Sequence, residues 1–342
     1  MSGEFNLTLH RAASMLFLIF VLACSSAILH SENNPLIVVT FYSLKEDVEQ
    51  LLCGSGVVHS LVNPGVDPHE YQLSMEDIRI LSLADLIIST GHTHFELRIK
   101  ELVERGEIKA KYVDIVDDAT VILRVNPVTG KPNYHMPIRD PYNYVIFVFK
   151  VAEVLSEVDP SRASCYWSKA FTIAGSVLNT ASMLAGRFRG LVVVDKPHVQ
   201  YAVSWLGFNV TYILKYEEEA PLTPEHVDVL LELLNRGDVI AVFVTDPPDA
   251  PESRVLQEEA QKRGIPVLRV PSAVTTGTYK TIRSVAEQVS MLELDSTREV
   301  PVHEAERGAL DMYGIALGFT LGFVTGFALL YVISARRRPY TN

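Results

Sequence analysis

Twice along the chain, short β-branched apolar runs alternate with stretches of helical periodicity, and residues 161–189 between the two rounds contain no proline. In the first round Pro35–Phe41, Gly56–Val62, Leu86–Thr90 and Tyr112–Val116 read as strands. Apolar runs without polar alternation are buried on both faces, as in a parallel sheet covered by helices. Helices are expected from Ser43, from Ser74 through Leu83 and over Phe95–Arg105, and Ser74 with Asp77 three residues on forms a capping pair. The second round repeats the scheme, with strands at 191–194, 210–214, 240–244 and 267–270 and helices at 199–206, 224–235, 252–263 and 278–294. Between them, Trp167, Phe171, Ile173, Val177, Leu178, Met183 and Leu184 form an apolar stripe that predicts one long connecting helix. The expected fold class is therefore α/β, with two lobes, each a parallel-sheet α/β sandwich. They occupy residues 34–160 and 190–294 and are joined by the helix at 161–189.

The two ends predict where such a protein resides. His10 and Arg11, the apolar run Ala12–Ala23 and the small residues Cys24–Ala27 describe a secretory signal within residues 1–30. Val21-Leu22-Ala23-Cys24 also resembles a lipoprotein cleavage box, apart from the leucine before Ala23. Residues 312–335 carry no charge and are followed by Arg336-Arg337-Arg338. A helix of that length spans about 36 Å, so a C-terminal transmembrane helix is expected, with a stalk at 295–311 and a cytoplasmic tail at 336–342. The two lobes are thereby placed on the extracellular face of a single-pass membrane protein.

Acidic side chains outnumber basic ones by 41 to 30, so no basic stripe exists to hold nucleic acid. The chain has neither a phosphate-cradling glycine loop nor a nucleophile elbow, and no enzyme activity is expected. Cys53 and Cys165 either pair as an extracellular disulfide or remain as two buried thiols.

In open α/β sheets, ligands bind beyond the carboxyl ends of the strands. Three histidines are expected there. His69 lies in Pro64-Gly65-Val66-Asp67-Pro68-His69-Glu70-Tyr71, where two prolines and a turn glycine make a stiff loop. His135 lies in Lys131-Pro132-Asn133-Tyr134-His135-Met136-Pro137, and His198 in Asp195-Lys196-Pro197-His198. Imidazoles converging from separate loops suit a divalent transition metal, zinc most simply. His92 and His94 in Gly91-His92-Thr93-His94 could chelate or feed a metal, but their alternation reads instead as one exposed and one half-buried loop histidine.

The His69 segment, together with Leu81-Ser82-Leu83-Ala84-Asp85-Leu86-Ile87-Ile88, Gly91 and Glu96, resembles the zinc/manganese-type solute-binding proteins of ABC importers. The long connecting helix and Thr278-Tyr279 belong to the same likeness, which spans residues 35–293. The resemblance implies capture of a metal ion outside the cell and its delivery to a membrane permease with its ATPase. It implies His69 and His135 as the first two ligands, although the usual tryptophan near the second is absent. Aligned on Tyr201, the third ligand position holds Lys196, leaving His198 two residues on as the substitute, and the fourth reads Pro271-Ser272 without a carboxylate. That departure leaves three readings: a His69, His135 and His198 site with water in the open position, the two first-lobe histidines alone with weak binding, or a metal–anion chelate with Lys196 as counter-charge. Two other function classes are an extracellular zinc hydrolase with Glu70 as base and a degenerate member acting as an adhesion or scaffold domain.

Overall fold

The computed structural model describes residues 34–66, 68–216 and 221–291. Two four-stranded parallel sheets form the centres of two lobes. The first contains β1 (Leu36–Phe41), β2 (Val57–Val62), β3 (Leu86–Ser89) and β4 (Lys111–Asp114) in the order β2-β1-β3-β4. The second contains β5 (Leu191–Val194), β6 (Asn209–Ile213), β7 (Val239–Asp246) and β8 (Val267–Pro271) in the equivalent order β6-β5-β7-β8. Ile37, Val38, Ile87, Val193 and Val242 are fully buried, as strands covered on both faces must be.

In the first lobe, α1 (Tyr42–Glu49), α2 (Met75–Leu83) and α3 (His94–Glu104) link the strands. Ser74 caps α2 reciprocally with Asp77, and Thr93 caps α3 with Glu96. Between the sheets run two packed helices, α4 (Pro141–Val158) and the long α5 (Ala163–Leu184). The sequence pattern assigned no element to α4, although Asp140 accepts from the Tyr142 amide and Pro141 opens the first turn. The second lobe adds α6 (Pro197–Ser204), α7 (Pro224–Asn235), α8 (Pro251–Lys262) and α9 (Thr278–Ser290).

The expectation of a C-terminal transmembrane helix is withdrawn. Among the described residues no helix is long and apolar enough to cross a membrane. The longest, α5, is amphipathic, exposing Ser168, Thr172, Ser176 and Asn179 opposite a buried stripe of Ala170, Ile173, Val177 and Ala181. Residues 312–335 lie outside the described part, as do the segments read as signal, stalk and tail.

Buried charge ties the lobes together. Asp47 of α1 accepts from the Tyr144 hydroxyl at 2.9 Å and from the amides of Thr278 and Tyr279, at the start of α9, at 2.7 and 3.2 Å. Glu46 accepts from the Gly277 amide at 3.0 Å and pairs with Lys280 at 2.9 Å, so one lobe's carboxylates cap the other lobe's last helix. Arg139, wholly buried, donates to the carbonyls of Pro271, Ser272 and Thr276 and to the Thr281 hydroxyl. Burial lowers the Arg139 guanidinium to about 10, against the opposing pull of Asp47, and leaves it charged at neutral pH.

A disulfide joins Cys53, just after α1, to Cys165 in the first turn of α5, closing a separation of 112 residues. A loop of that size loses much unfolded-state entropy when it is cross-linked. Replacing both cysteines by serine should lower the unfolding free energy by about 2–4 kcal/mol, read as an earlier midpoint in denaturant. An unchanged midpoint would contradict this account.

Candidate metal centre

The site is assembled at the carboxyl ends of the first sheet. His69 follows β2, His92 follows β3, and His135 stands at the end of the long loop after β4. One ligand atom from each lies within 4.8 Å of the others, and all three residues are half-buried. The ring centroids are 5.7 Å apart for His69 and His92, 5.8 Å for His69 and His135, and 4.9 Å for His92 and His135.

Each histidine has its own support. Beside His69, Pro68 is buried and Tyr71 fastens the loop, its hydroxyl donating to Asp77 at 2.9 Å and its ring meeting Phe95 edge-on at 5.0 Å. His92 stacks on Phe41. Its Nδ1 lies 2.8 Å from the Thr90 hydroxyl, which is itself 2.9 and 2.8 Å from the two oxygens of Glu96. The hydroxyl has one proton and gives it to the carboxylate, so it accepts from His92 Nδ1–H, and the lone pair of that ring sits on Nε2. A carboxylate that orients a ligating imidazole is a recurrent metal-site device, relayed here through a threonine. Burial would raise the Glu96 carboxyl, but His92 and the hydroxyl and amide donors around it outweigh that and hold it below the usual range. The turn needs Gly91: its φ is +72°, and a Cβ there would fall 2.0 Å from an Asp114 carboxylate oxygen.

His135 is fixed by Asn133, whose Oδ1 accepts from the His135 amide at 3.0 Å and faces its Nδ1 at 3.1 Å. Met136, the next residue, is held in the left-handed region at φ 50°, a conformation that costs a non-glycine residue about 1–3 kcal/mol. Burial, followed by the fields of His92 and His69, pushes the His135 imidazole down to about 3. It is therefore neutral at physiological pH, the form that binds a metal.

The second lobe presents something different. His198, expected as the third ligand, lies near the start of α6, buried, with Nε2 3.5 Å from the Thr245 hydroxyl and outside the three-histidine cluster. Burial, then the nearby charges of Arg139 and Lys196, hold its pKa well below the ordinary value. Lys196 pairs with Glu252 at 3.2 Å. Asp195 accepts from the Thr245 amide at 2.7 Å and the Ser253 hydroxyl at 2.6 Å, and the Ser272 carbonyl is occupied by Arg139. The strand ends of this lobe are thus cross-braced, with Lys196 paired to Glu252 and Arg139 on the Ser272 carbonyl. His92 is the residue that sequence reasoning passed over. Its place just beyond the end of β3 and just before the Thr93–Glu96 capping box was the available signal.

The sequence profile of the family described as ZnuA, zinc-uptake complex component A, periplasmic, matches residues 37–299. Iron-binding protein YfeA of Yersinia pestis is 24% identical over 268 residues, covering 74% of this chain and 86% of its own. The manganese ABC transporter substrate-binding lipoprotein PsaA of Streptococcus pneumoniae is 28% identical over 264 residues, covering 73% and 84%. The Mn2+ complex of the solute-binding protein FpvC of Pseudomonas aeruginosa superposes with a TM-score of 0.60 at 20% identity, over 75% of this chain and 96% of that one. The shared fold is established by this likeness, and the family by the profile. As the resemblance in the His69 segment implied, the chain belongs to the zinc-uptake complex component A family, the substrate-binding proteins of metal ABC transporters, which bind their cargo and are not enzymes.

Proposed function

We propose that this protein captures a divalent transition metal outside the cytoplasm on His69, His92 and His135 and delivers it to the permease and ATPase of an ABC importer. The observation that carries this reading is the convergence of three imidazoles within 4.8 Å at the sheet's carboxyl edge. Membership of a metal-transporter family supports the delivery step, and the Cys53–Cys165 disulfide supports an oxidising, extracytoplasmic setting. In this reading His92 takes the place that sequence reasoning assigned to His198. The chelate alternative loses its counter-charge, because Lys196 is already opposite Glu252.

Zinc is the proposed cargo. The cluster contains nitrogen donors and no carboxylate, whereas manganese favours oxygen ligands and stands lowest in the order of divalent affinities. Zn2+ should bind at least about 100-fold more tightly than Mn2+ in competition titrations, and equal affinities would sink the assignment. Full-length protein purified without chelator should contain close to one metal ion per chain. His69→Ala, His92→Ala and His135→Ala should each weaken Zn2+ binding by about 100-fold or more, through loss of a ligand. His198→Asn should leave it unchanged. If the wild type binds no divalent ion, the scaffold reading takes over.

His198 should show itself in acid instead. Its folded-state pKa lies below the unfolded value of about 6.5, so the unfolded chain takes up a proton that the native state refuses. Its contribution to stability is complete above that value and is lost progressively as pH falls from there through the lower folded-state pKa. Denaturant midpoints of metal-free protein between pH 7 and pH 5 should fall less steeply for His198→Asn than for the wild type. Parallel curves would refute the assignment.

A further inference from the structure

The metal loop is not held by its own lobe alone. Asn133 is buried, and both protons of its side-chain amide are engaged by α6 of the second lobe, at 2.8 Å from the Pro197 carbonyl and 2.9 Å from Gln200 Oε1. Gln200 is oriented in turn by donating Nε2–H to the Val125 carbonyl at 2.8 Å. Tyr201, on the same helix, donates its hydroxyl proton to the Asn133 carbonyl at 2.5 Å and accepts from the Arg124 amide at 2.9 Å. A carbonyl can only accept, so Val125 and Pro197 decide which way each amide faces. With both Asn133 protons turned toward α6, Oδ1 must face His135. There it meets the backbone N–H and Nδ1, and an acceptor at that distance requires the proton on Nδ1. The lone pair then resides on Nε2.

We propose that Gln200 is a positioning residue for the metal site. Acting through Asn133, it fixes the tautomer and direction of His135, so that the second lobe takes part in metal binding without supplying a ligand. This rests on the reading of His69, His92 and His135 as the ligands. It deepens that reading by giving a helix of the opposite lobe control over one imidazole. A metal-ligating histidine generally owes its tautomer to a partner on its other nitrogen, and loss of such a partner costs about 10–100-fold in metal affinity. Here the partner is itself aimed by a residue 67 positions further along the chain.

The test uses full-length protein with histidine ring nitrogens labelled with 15N, Zn2+ as the ligand, and His135→Ala as the reference. In the metal-free wild type, two-bond proton–nitrogen spectra should show His135 as the Nδ1–H tautomer. Asn133→Ala should shift that ring toward the Nε2–H form and weaken Zn2+ binding by about 10–100-fold. Gln200→Leu, a near-isosteric change chosen to keep α6 folded, should move both readouts in the same direction by a smaller amount. Gln200→Glu, read at a pH where its buried carboxyl is protonated, retains both an acceptor for the Asn133 amide and a donor for the Val125 carbonyl and should keep the wild-type tautomer. If His135→Ala abolishes tight Zn2+ binding while Gln200→Leu and Asn133→Ala leave tautomer and affinity untouched, the positioning role is overturned and the ligand set stands. If His135→Ala itself leaves Zn2+ affinity unchanged, the ligand set falls and the positioning role falls with it.

Discussion

Asp47 is the constraint on which the two-lobed arrangement depends. A lone carboxylate with no access to water would be heavily penalised, and burial does raise this one above its ordinary range. It is tolerated because the opening amides of α9 and the Tyr144 hydroxyl point at it, with Arg139 nearby. Charge-assisted bonds of this kind contribute about 1.5–3 kcal/mol each, and none can be removed without orphaning its partner. The first helix of one lobe thereby caps the last helix of the other. Arg139 adds four bonds to the last residue of β8, the loop after it and α9, all from a residue four positions beyond His135. The same short segment, 133–139, both orients an imidazole and fastens the lobes.

That double duty explains the chemistry of the second lobe. A guanidinium buried against Pro271, Ser272 and Thr276 and the Lys196–Glu252 ion pair occupy this side of the site. A dication drawing ligands from both lobes would need carboxylates or neutral imidazoles there. In the proposed site the first lobe would supply the third nitrogen donor through His92, held by the Thr90–Glu96 relay. On that proposal the departures at Lys196 and Ser272 and the presence of His92 form one coherent substitution, with the ligands on one sheet and the braces on the other.

The alternation of buried strands was legible because a parallel strand covered on both faces must be apolar throughout, and that leaves a local trace. The Pro64–Tyr71 turn was legible for the same reason, since proline and glycine write their geometry into the residues themselves. The burial of the His92 and His94 pair was also readable: His94 is exposed and His92 half-buried. What local spacing does not contain is the strand order. His92 meets His69 and His135 because β3 lies beside β1 and β4 rather than at an edge, and that follows from pairing across the chain. The Cys53–Cys165 pairing was undecidable from sequence for the same reason. Helix α4 was missed although Asp140-Pro141 marks its start, because a run apolar on nearly every side lacks the polar face that makes a helix stand out.

A metal ion bound by both lobes of such a protein would itself be a bridge, and binding would have to be coupled to lobe closure. In this chain the bridges are built of protein. Asp47 and Arg139 hold the lobes on one side of the metal loop, and the Asn133–Gln200 and Tyr201 contacts hold them on the other. The free energy of three metal–imidazole bonds would then be spent within one lobe, on loops already held by Pro68, by the Thr90–Glu96 relay and by Asn133. Release would call for a change in those loops rather than a hinge opening about α5. Because Asn133 joins the His135 loop to α6, a contact that displaced α6 from outside would reach His135 directly, through two side-chain amides.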